Sequence, residues 1–217
     1  MPDNSPRLLK GGIVLVDSDS GNVLKVIPLQ YNPDTLSRTL QVKTAPTASE
    51  GGDRSEALRL KGPPVETIKL DAEIDATDAL EKSDSTAAAS GIHPQLAALE
   101  MITYPTSDQL IANNAQQQSG TLEIIPMQAP LVLFVWGSNR VLPVRISDLS
   151  ITEEAFDENL NPVRAKVSLS MRVLSVDDLG FDSKGGSIYM AYQQLREGLA
   201  KKSPTATLNS LGLGGIP

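Results

Sequence analysis

Two stretches of strict alternation dominate the pattern of apolar and polar positions. In Val65–Ala76 (VETIKLDAEIDA), Ile68, Leu70, Ala72 and Ile74 fall on one side, and Thr67, Lys69, Asp71, Glu73 and Asp75 on the other. A period of two over this length predicts a strand with one buried and one wet face. Val163–Leu174 repeats it: Val163, Ala165, Val167, Leu169, Met171 and Val173 alternate with Arg164, Lys166, Ser168, Ser170 and Arg172. Such alternation belongs to antiparallel sheets; strands of parallel sheets are buried on both faces and read as continuous apolar runs.

Shorter strands surround these two. Gly12–Asp17 and Val23–Gln30 flank the turn-rich DSDSGN and predict a hairpin. Thr35–Lys43 alternates less cleanly. Leu131–Trp136 (LVLFVW) is a continuous apolar run ended by Gly137-Ser138-Asn139. Arg140–Thr152 follows, and its apolar parity switches at Leu149 and Ile151, which predicts a bulge near Ser147–Asp148. Asn159–Pro162 turns into the last long strand. Helical spacing occurs in Pro94–Tyr104, with Pro94 suited to a first turn, and in Ser187–Ala200. About seven or eight strands with one inserted helix predict an antiparallel barrel or sandwich with a packed helix. The β domain is expected over 1–175, with a short C-terminal helix and a flexible docking tail over 176–217. Thr44–Ser55, Thr77–Gly91 and Asp108–Gly120 are polar or rich in small residues and are expected to be irregular.

Composition narrows the chemistry. With no cysteine and a single histidine, His93, thiolate catalysis and multi-histidine metal sites are excluded. No G-x-S-x-G accompanies His93, which reads as a turn or cap residue at the start of the inserted helix. Asp17-Ser18-Asp19-Ser20-Gly21 resembles the opening of a calcium loop, but the twelfth position is Pro28 where a bidentate Glu is needed. No glycine pattern fits a dinucleotide or phosphate loop. No catalytic residue, cofactor or metal site is therefore expected. The net charge of −7 argues against nucleic acid and anionic membranes as partners. No apolar run is long enough for a membrane helix, and the N-terminus lacks the apolar region of a secretory leader. Phe134 and Trp136 share one strand face and are expected to pack in the core.

Several segments, taken in order, resemble one family. VIPLQYNPDTLSRTLQV carries an aromatic–Asn-Pro step at Tyr31, Asn32 and Pro33. VETIKLDAEIDATD and HPQLAALEMITYP follow. Ala129–Leu174 then supplies Trp136-Gly137, the Phe156-Asp157 turn and a Pro-x-Arg-Ala step at Pro162, Arg164 and Ala165. The set is similar to the tube-initiator and baseplate proteins of contractile injection systems, the phage-tail-like particles of bacteria. The resemblance implies a tail-tube-like β-barrel with a flanking helix. It implies six copies in a ring that joins the spike or hub to the inner tube and templates tube polymerisation. Its implied partners are further copies of itself, the inner-tube protein, the spike or hub, and baseplate or sheath components. The implied setting is the bacterial cytoplasm, within an assembled phage-tail-like particle, with extracellular release as part of that particle the alternative. Many relatives carry a LysM module after the last strand; Ser175–Pro217 is too short for one.

A ring needs a heterologous joint that closes, and open sheet edges supply one. The polar segments are expected to act as stacking arms, with Thr47, Glu50, Asp53, Arg54, Asn113 and Gln117 as candidate assembly residues. The face of Thr67, Lys69, Asp71, Glu73 and Asp75 is a candidate lumen lining of mixed sign. Alternatives from other classes are an inner-tube or other baseplate ring subunit, a β-sandwich that binds protein or glycan, and an enzyme. The scarcity of aromatic residues disfavours glycan binding, and the lack of catalytic motifs disfavours an enzyme.

Overall fold

The computed structural model describes residues 9–43, 60–118 and 129–216. Among the described residues, seven strands form one antiparallel sheet: β1 (Gly12–Val16), β2 (Val23–Pro28), β3 (Leu36–Gln41), β4 (Val65–Asp75), β5 (Leu131–Val135), β6 (Val141–Phe156) and β7 (Pro162–Val173). Their order across the sheet is β2-β1-β5-β6-β7-β4-β3, so β2 and β3 are its two edges. The architecture is the expected mainly-β, tail-tube-like one.

The alternation in sequence becomes burial. Ile68, Leu70, Ala72 and Ile74 of β4 and Ala165, Val167, Leu169 and Met171 of β7 all lie in one core. The parity switch in β6 is a register shift between Ile146 and Asp148, after which Leu149 and Ile151 return to the apolar side. Without that bulge every later side chain of β6 would point to the wrong face. Phe134 is fully buried and stacks on Trp136 at 5.9 Å between ring centroids.

The sheet curls almost to closure. Leu36 pairs with Leu70, so β3 leaves Asp71–Asp75 of β4 without a strand on that side. Gln30, just past β2, fills part of the gap. Its Nε2 donates to the carbonyl of Asp75 at 2.7 Å, and its Oε1 accepts from the Asp75 amide at 2.9 Å. One side chain thus imitates a ladder pair.

Among the described residues between β4 and β5 there are four helices: α1 (Thr77–Glu81), α2 (Ser85–Ser90), α3 (His93–Glu100) and α4 (Ser107–Gln118). The expectation of irregular chain over Thr77–Gly91 and Asp108–Gly120 is corrected here. Asp84 caps α2 by accepting from the amides of Thr86 and Ala87 at 2.9 Å. Thr106 and Gln109 form a reciprocal cap on α4, with the Thr106 amide donating to Oε1 at 3.0 Å and the Gln109 amide to Oγ1 at 3.3 Å. The helix of Pro94–Tyr104 is shorter than expected and starts one residue earlier. Leu96 and Leu99 of α3 seal the core beside β2 and β4.

Two more helices follow β7: α5 (Val176–Leu179) and α6 (Lys184–Ala200). Tyr189 and Tyr192 of α6 join the core, while Leu179 and Ile188 cover Val16, Leu131 and Leu133 on the far side of β1 and β5. Beyond α6 the described tail is exposed, with Leu211 and Ile216 at 72% and 80%.

Candidate assembly surface

The residues of the Asn-Pro, Trp-Gly and Pro-x-Arg-Ala steps occupy three different joints of the sheet. Asn32 ties the end of the β1–β2 hairpin. Its Oδ1 accepts from the Gly11 amide and its Nδ2 donates to the Leu9 carbonyl, each at 2.8 Å. Tyr31 beside it is 47% exposed. Trp136 directly follows β5, its amide bound to the Arg140 carbonyl at 2.8 Å, with Gly137 at φ +71 in the turn. A Cβ on Gly11 would come within 2.4 Å of the Trp136 ring, so the indole lies directly on backbone. Pro162 opens β7 and its carbonyl accepts from the Ile92 amide at 2.9 Å, which anchors the helical insertion. Arg164 bridges Asp75 at 2.9 Å and Glu73 at 3.5 Å, and Ala165 is fully buried.

The assembly candidates divide differently. Thr47, Glu50, Asp53 and Arg54 lie outside the described residues. Asn113 and Gln117 stand on α4, a helix none of whose residues is buried, rather than on a loop.

The largest break with ordinary surface design is β2. Its residues Val23, Leu24 and Val26 are 61%, 59% and 58% exposed. Among the described residues the strand pairs only with β1, and the Leu29 amide bonds to the Gly11 carbonyl at 2.8 Å. By strand alternation the amide of Val26 therefore points away from the sheet. The opposite edge is more polar, with Leu40 of β3 and Val42 just past it at 47% and 59% exposure among Ser37, Arg38, Thr39 and Gln41. Lys25 and the register shift opposite Leu15 and Val16 interrupt the β2 edge, yet three exposed apolar side chains on an edge strand remain what a partner strand would cover. Behind β2, towards α3, an apolar groove of ≈ 370 Å³ is lined by Ile27, Leu29, Ala72, Ile74 and Leu99.

The wet face of β4, β6 and β7 is a contrast. Lys69, Arg145, Arg164, Lys166 and Arg172 are matched in number by Asp71, Glu73, Asp75, Asp148 and Glu154. Lys166 pairs with Glu154 at 2.9 Å, and Ser168 donates to Asp71 at 2.5 Å. Hydrogen bonds from the Thr77 hydroxyl and amide, together with Arg164, hold the Asp75 carboxyl below its usual range. The face is polar, balanced in sign and free of large apolar side chains.

Little here suggests a reaction centre. His93 is the first residue of α3, one past the cap position, which Ile92 occupies. Asp17 is spent on its own turn, accepting from the Ser20 amide and hydroxyl at 2.7 Å. Among the described residues no three His, Cys, Asp or Glu side chains converge as a metal site, and no helix is long and apolar enough to cross a membrane.

Comparison with known proteins gives one family. The model of the contractile injection system tube protein family matches residues 13–178. A search among curated proteins gave no match. Among solved structures, a chain of the virion of native gene transfer agent particle aligns with 75% of this chain and 90% of its own length, at 11% identity and a TM-score of 0.27. That similarity is too low to carry an argument, and the family assignment rests on the sequence match.

Proposed function

The chain belongs to the contractile injection system tube protein family, with a structural role in a phage-tail-like particle, and from that premise we propose that it forms a ring at the baseplate end of the tube. In this reading the ring, of six copies as the resemblance implies, joins the spike or hub to the inner tube and templates its polymerisation.

The observation that carries the proposal is the pair of sheet edges, each with exposed apolar side chains and, among the described residues, no partner strand. An open sheet has two different edges, and β2 of one copy meeting β3 of the next gives a heterologous joint that a closed ring satisfies. Val23, Leu24 and Val26 on one side and Leu40 and Val42 on the other would then lose their exposure. The charge-balanced face of β4, β6 and β7 fits a lumen. It presents no net field and no apolar patch to hold passing cargo. The helical insertion between β4 and β5 and the extension beyond β7 favour an end-of-tube ring over a subunit repeated along the whole tube.

Two measurements test this. Val26→Pro removes an outward amide without removing a β1–β2 bond, and Val26→Lys places a charge in the joint. Each variant is expected to fold and to be lost from particles purified from cells whose own copy is deleted. Incorporation at the wild-type level would refute the edge joint. Gold labelling of a tagged chain then separates the positions. Label at one end of the tube supports the baseplate ring, and label along its length establishes the inner-tube reading instead.

A further inference from the structure

A basic, aromatic pocket of ≈ 360 Å³ lies between the β5–β6 turn, β3 and α6, lined by Arg38, Trp136, Arg140, Tyr192 and Arg196 among others. Glu66 at its base is buried and takes Arg38 at 2.6 Å and Arg196 at 3.7 Å. Arg140 has no carboxylate partner among the described residues. Three guanidinium groups thus line one pocket with a single carboxylate beside them, shared by Arg38 and Arg196 only, in a chain of net charge −7. Arg196 also lies over the Tyr192 ring, 5.4 Å from its centroid. Planar cations beside aromatic walls are the chemistry that receives a carboxylate carried on an apolar segment. The α6 side of the pocket lies beyond residue 178, outside the stretch that matches the family.

The complement stands at the other end of the same chain. The β6–β7 turn carries Phe156 and Leu160 at 53% and 77% exposure. Glu153 and Glu158 there are exposed and have no basic partner among the described residues. The turn is held in one shape. Asp157 accepts from the amides of Asn159 and Asn161 at 2.8 Å and from the Asn161 side chain at 2.9 Å. Ala155 and Leu160 are fixed at φ 53 and 64, a region that non-glycine residues rarely occupy. Such a turn loses little entropy on docking.

We propose that the acidic, apolar β6–β7 turn of a second copy seats in this pocket. The turn cannot reach its own pocket. β6 runs sixteen residues from beside the pocket at Val141 to the turn at Phe156, on the order of 50 Å of extended chain. Complementary faces at opposite ends of one molecule repeat along an axis, so the contact stacks copies end to end. It rests on the assembly reading above but not on the edge joint.

The absence of cysteine permits a direct test in the full-length protein. Asn139→Cys, at the pocket rim, and Asn159→Cys, at the turn, are made in separate chains, mixed and oxidised. The mixed disulfide is expected to exceed that of an Asn139→Cys and Ser20→Cys mixture by about ten-fold or more, and a chain with both Cys is expected to give a ladder of multimers. Arg140→Glu on the pocket chain should lower the yield about ten-fold, as a like charge across a desolvated contact does. Glu158→Arg on the turn chain should restore it. A yield equal to the control pair, or one insensitive to Arg140→Glu in a chain with unchanged circular dichroism, overturns the proposal. Incorporation of the Val26 variants reports on the edge joint separately.

Discussion

Glu66 offers the sharpest test of how α6 is held to the sheet. Its side chain is 6% exposed, and it is clasped by Arg38 on β3 and faced by Arg196 on α6. Arg38 sends two donors to the same oxygen, Nη2 at 2.6 Å and Nε at 2.7 Å. Replacing Glu66 by Ala leaves two guanidinium groups facing each other across a small void. Removal of one member of a fully buried pair costs ~3–5 kcal/mol. Arg38 and Arg196 retain 26% and 33% exposure, so water recovers part of that. The expected loss is therefore ~2–3 kcal/mol for Glu66→Ala, and ~1–2 kcal/mol for Glu66→Gln, which keeps an acceptor. Trp136, the only tryptophan, lines the same pocket and reports unfolding in urea by its fluorescence. A cycle with Arg196→Met isolates the α6 contact from the void: the double variant should cost ~0.5–1 kcal/mol less than the sum of the singles. A loss below ~0.5 kcal/mol for Glu66→Ala, or strict additivity in the cycle, would refute the argument that this carboxylate clamps α6 to the sheet.

Two further perturbations follow from backbone geometry and titration. Gly91 lies at φ +54, and a Cβ there would stand 2.2 Å from the Pro162 carbonyl. Gly91→Ala should cost ~2–4 kcal/mol from strain and overlap together, read as a lowered urea midpoint. Asp75 has a folded pKa depressed below its ordinary 3.8 by the Thr77 hydrogen bonds, so its contribution is present above 3.8 and is lost as pH falls through the folded value. Asp75→Asn should therefore flatten the fall in stability below pH 3.8 while leaving its slope at neutral pH unchanged, measured as thermal midpoint against pH.

The strands were legible because the sheet is wet on one face, which writes burial into the sequence as alternation. Even the bulge showed, as a change of parity between Ile146 and Leu149. Three helices of the insertion, α1, α2 and α4, were hidden by the same logic reversed, while α3, which buries Leu96 and Leu99, showed its spacing. α4 buries no residue and so carries no apolar stripe, and the Ala-rich α2 buries only Ala87. A local signal did exist: Thr106-Ser107-Asp108-Gln109 has the spacing of a reciprocal cap, and Asp84 precedes Ser85 and Thr86 as a cap should. The site was less accessible. Gln30 and Asn32 act by imitating strand partners, and their targets Asp75 and Gly11 become neighbours only once the sheet curls. Arg38, Arg140 and Arg196 have no spacing in common; β3, the β5–β6 turn and α6 bring them together.

The two proposed contacts differ in direction, and that difference decides what an assembly of this chain can be. β2 and β3 lie along the length of the sheet, so a joint between them adds copies sideways. The pocket and the β6–β7 turn lie at opposite ends of β6, so their joint adds copies lengthwise. Both contacts are heterologous. A sideways heterologous contact on a curled sheet returns on itself and stops, whereas a lengthwise one has no reason to stop. A ring that can be extended is the geometry a tube requires. The contacts are also chemically distinct, one made of backbone groups and apolar side chains, the other of guanidinium and carboxylate groups. Raised salt should therefore weaken lengthwise association while sparing or strengthening the sideways joint. Disulfide yield between Asn139→Cys and Asn159→Cys chains should fall with ionic strength, and ring mass by light scattering should not. If both fell together, the division of labour between the edges and the ends would be wrong.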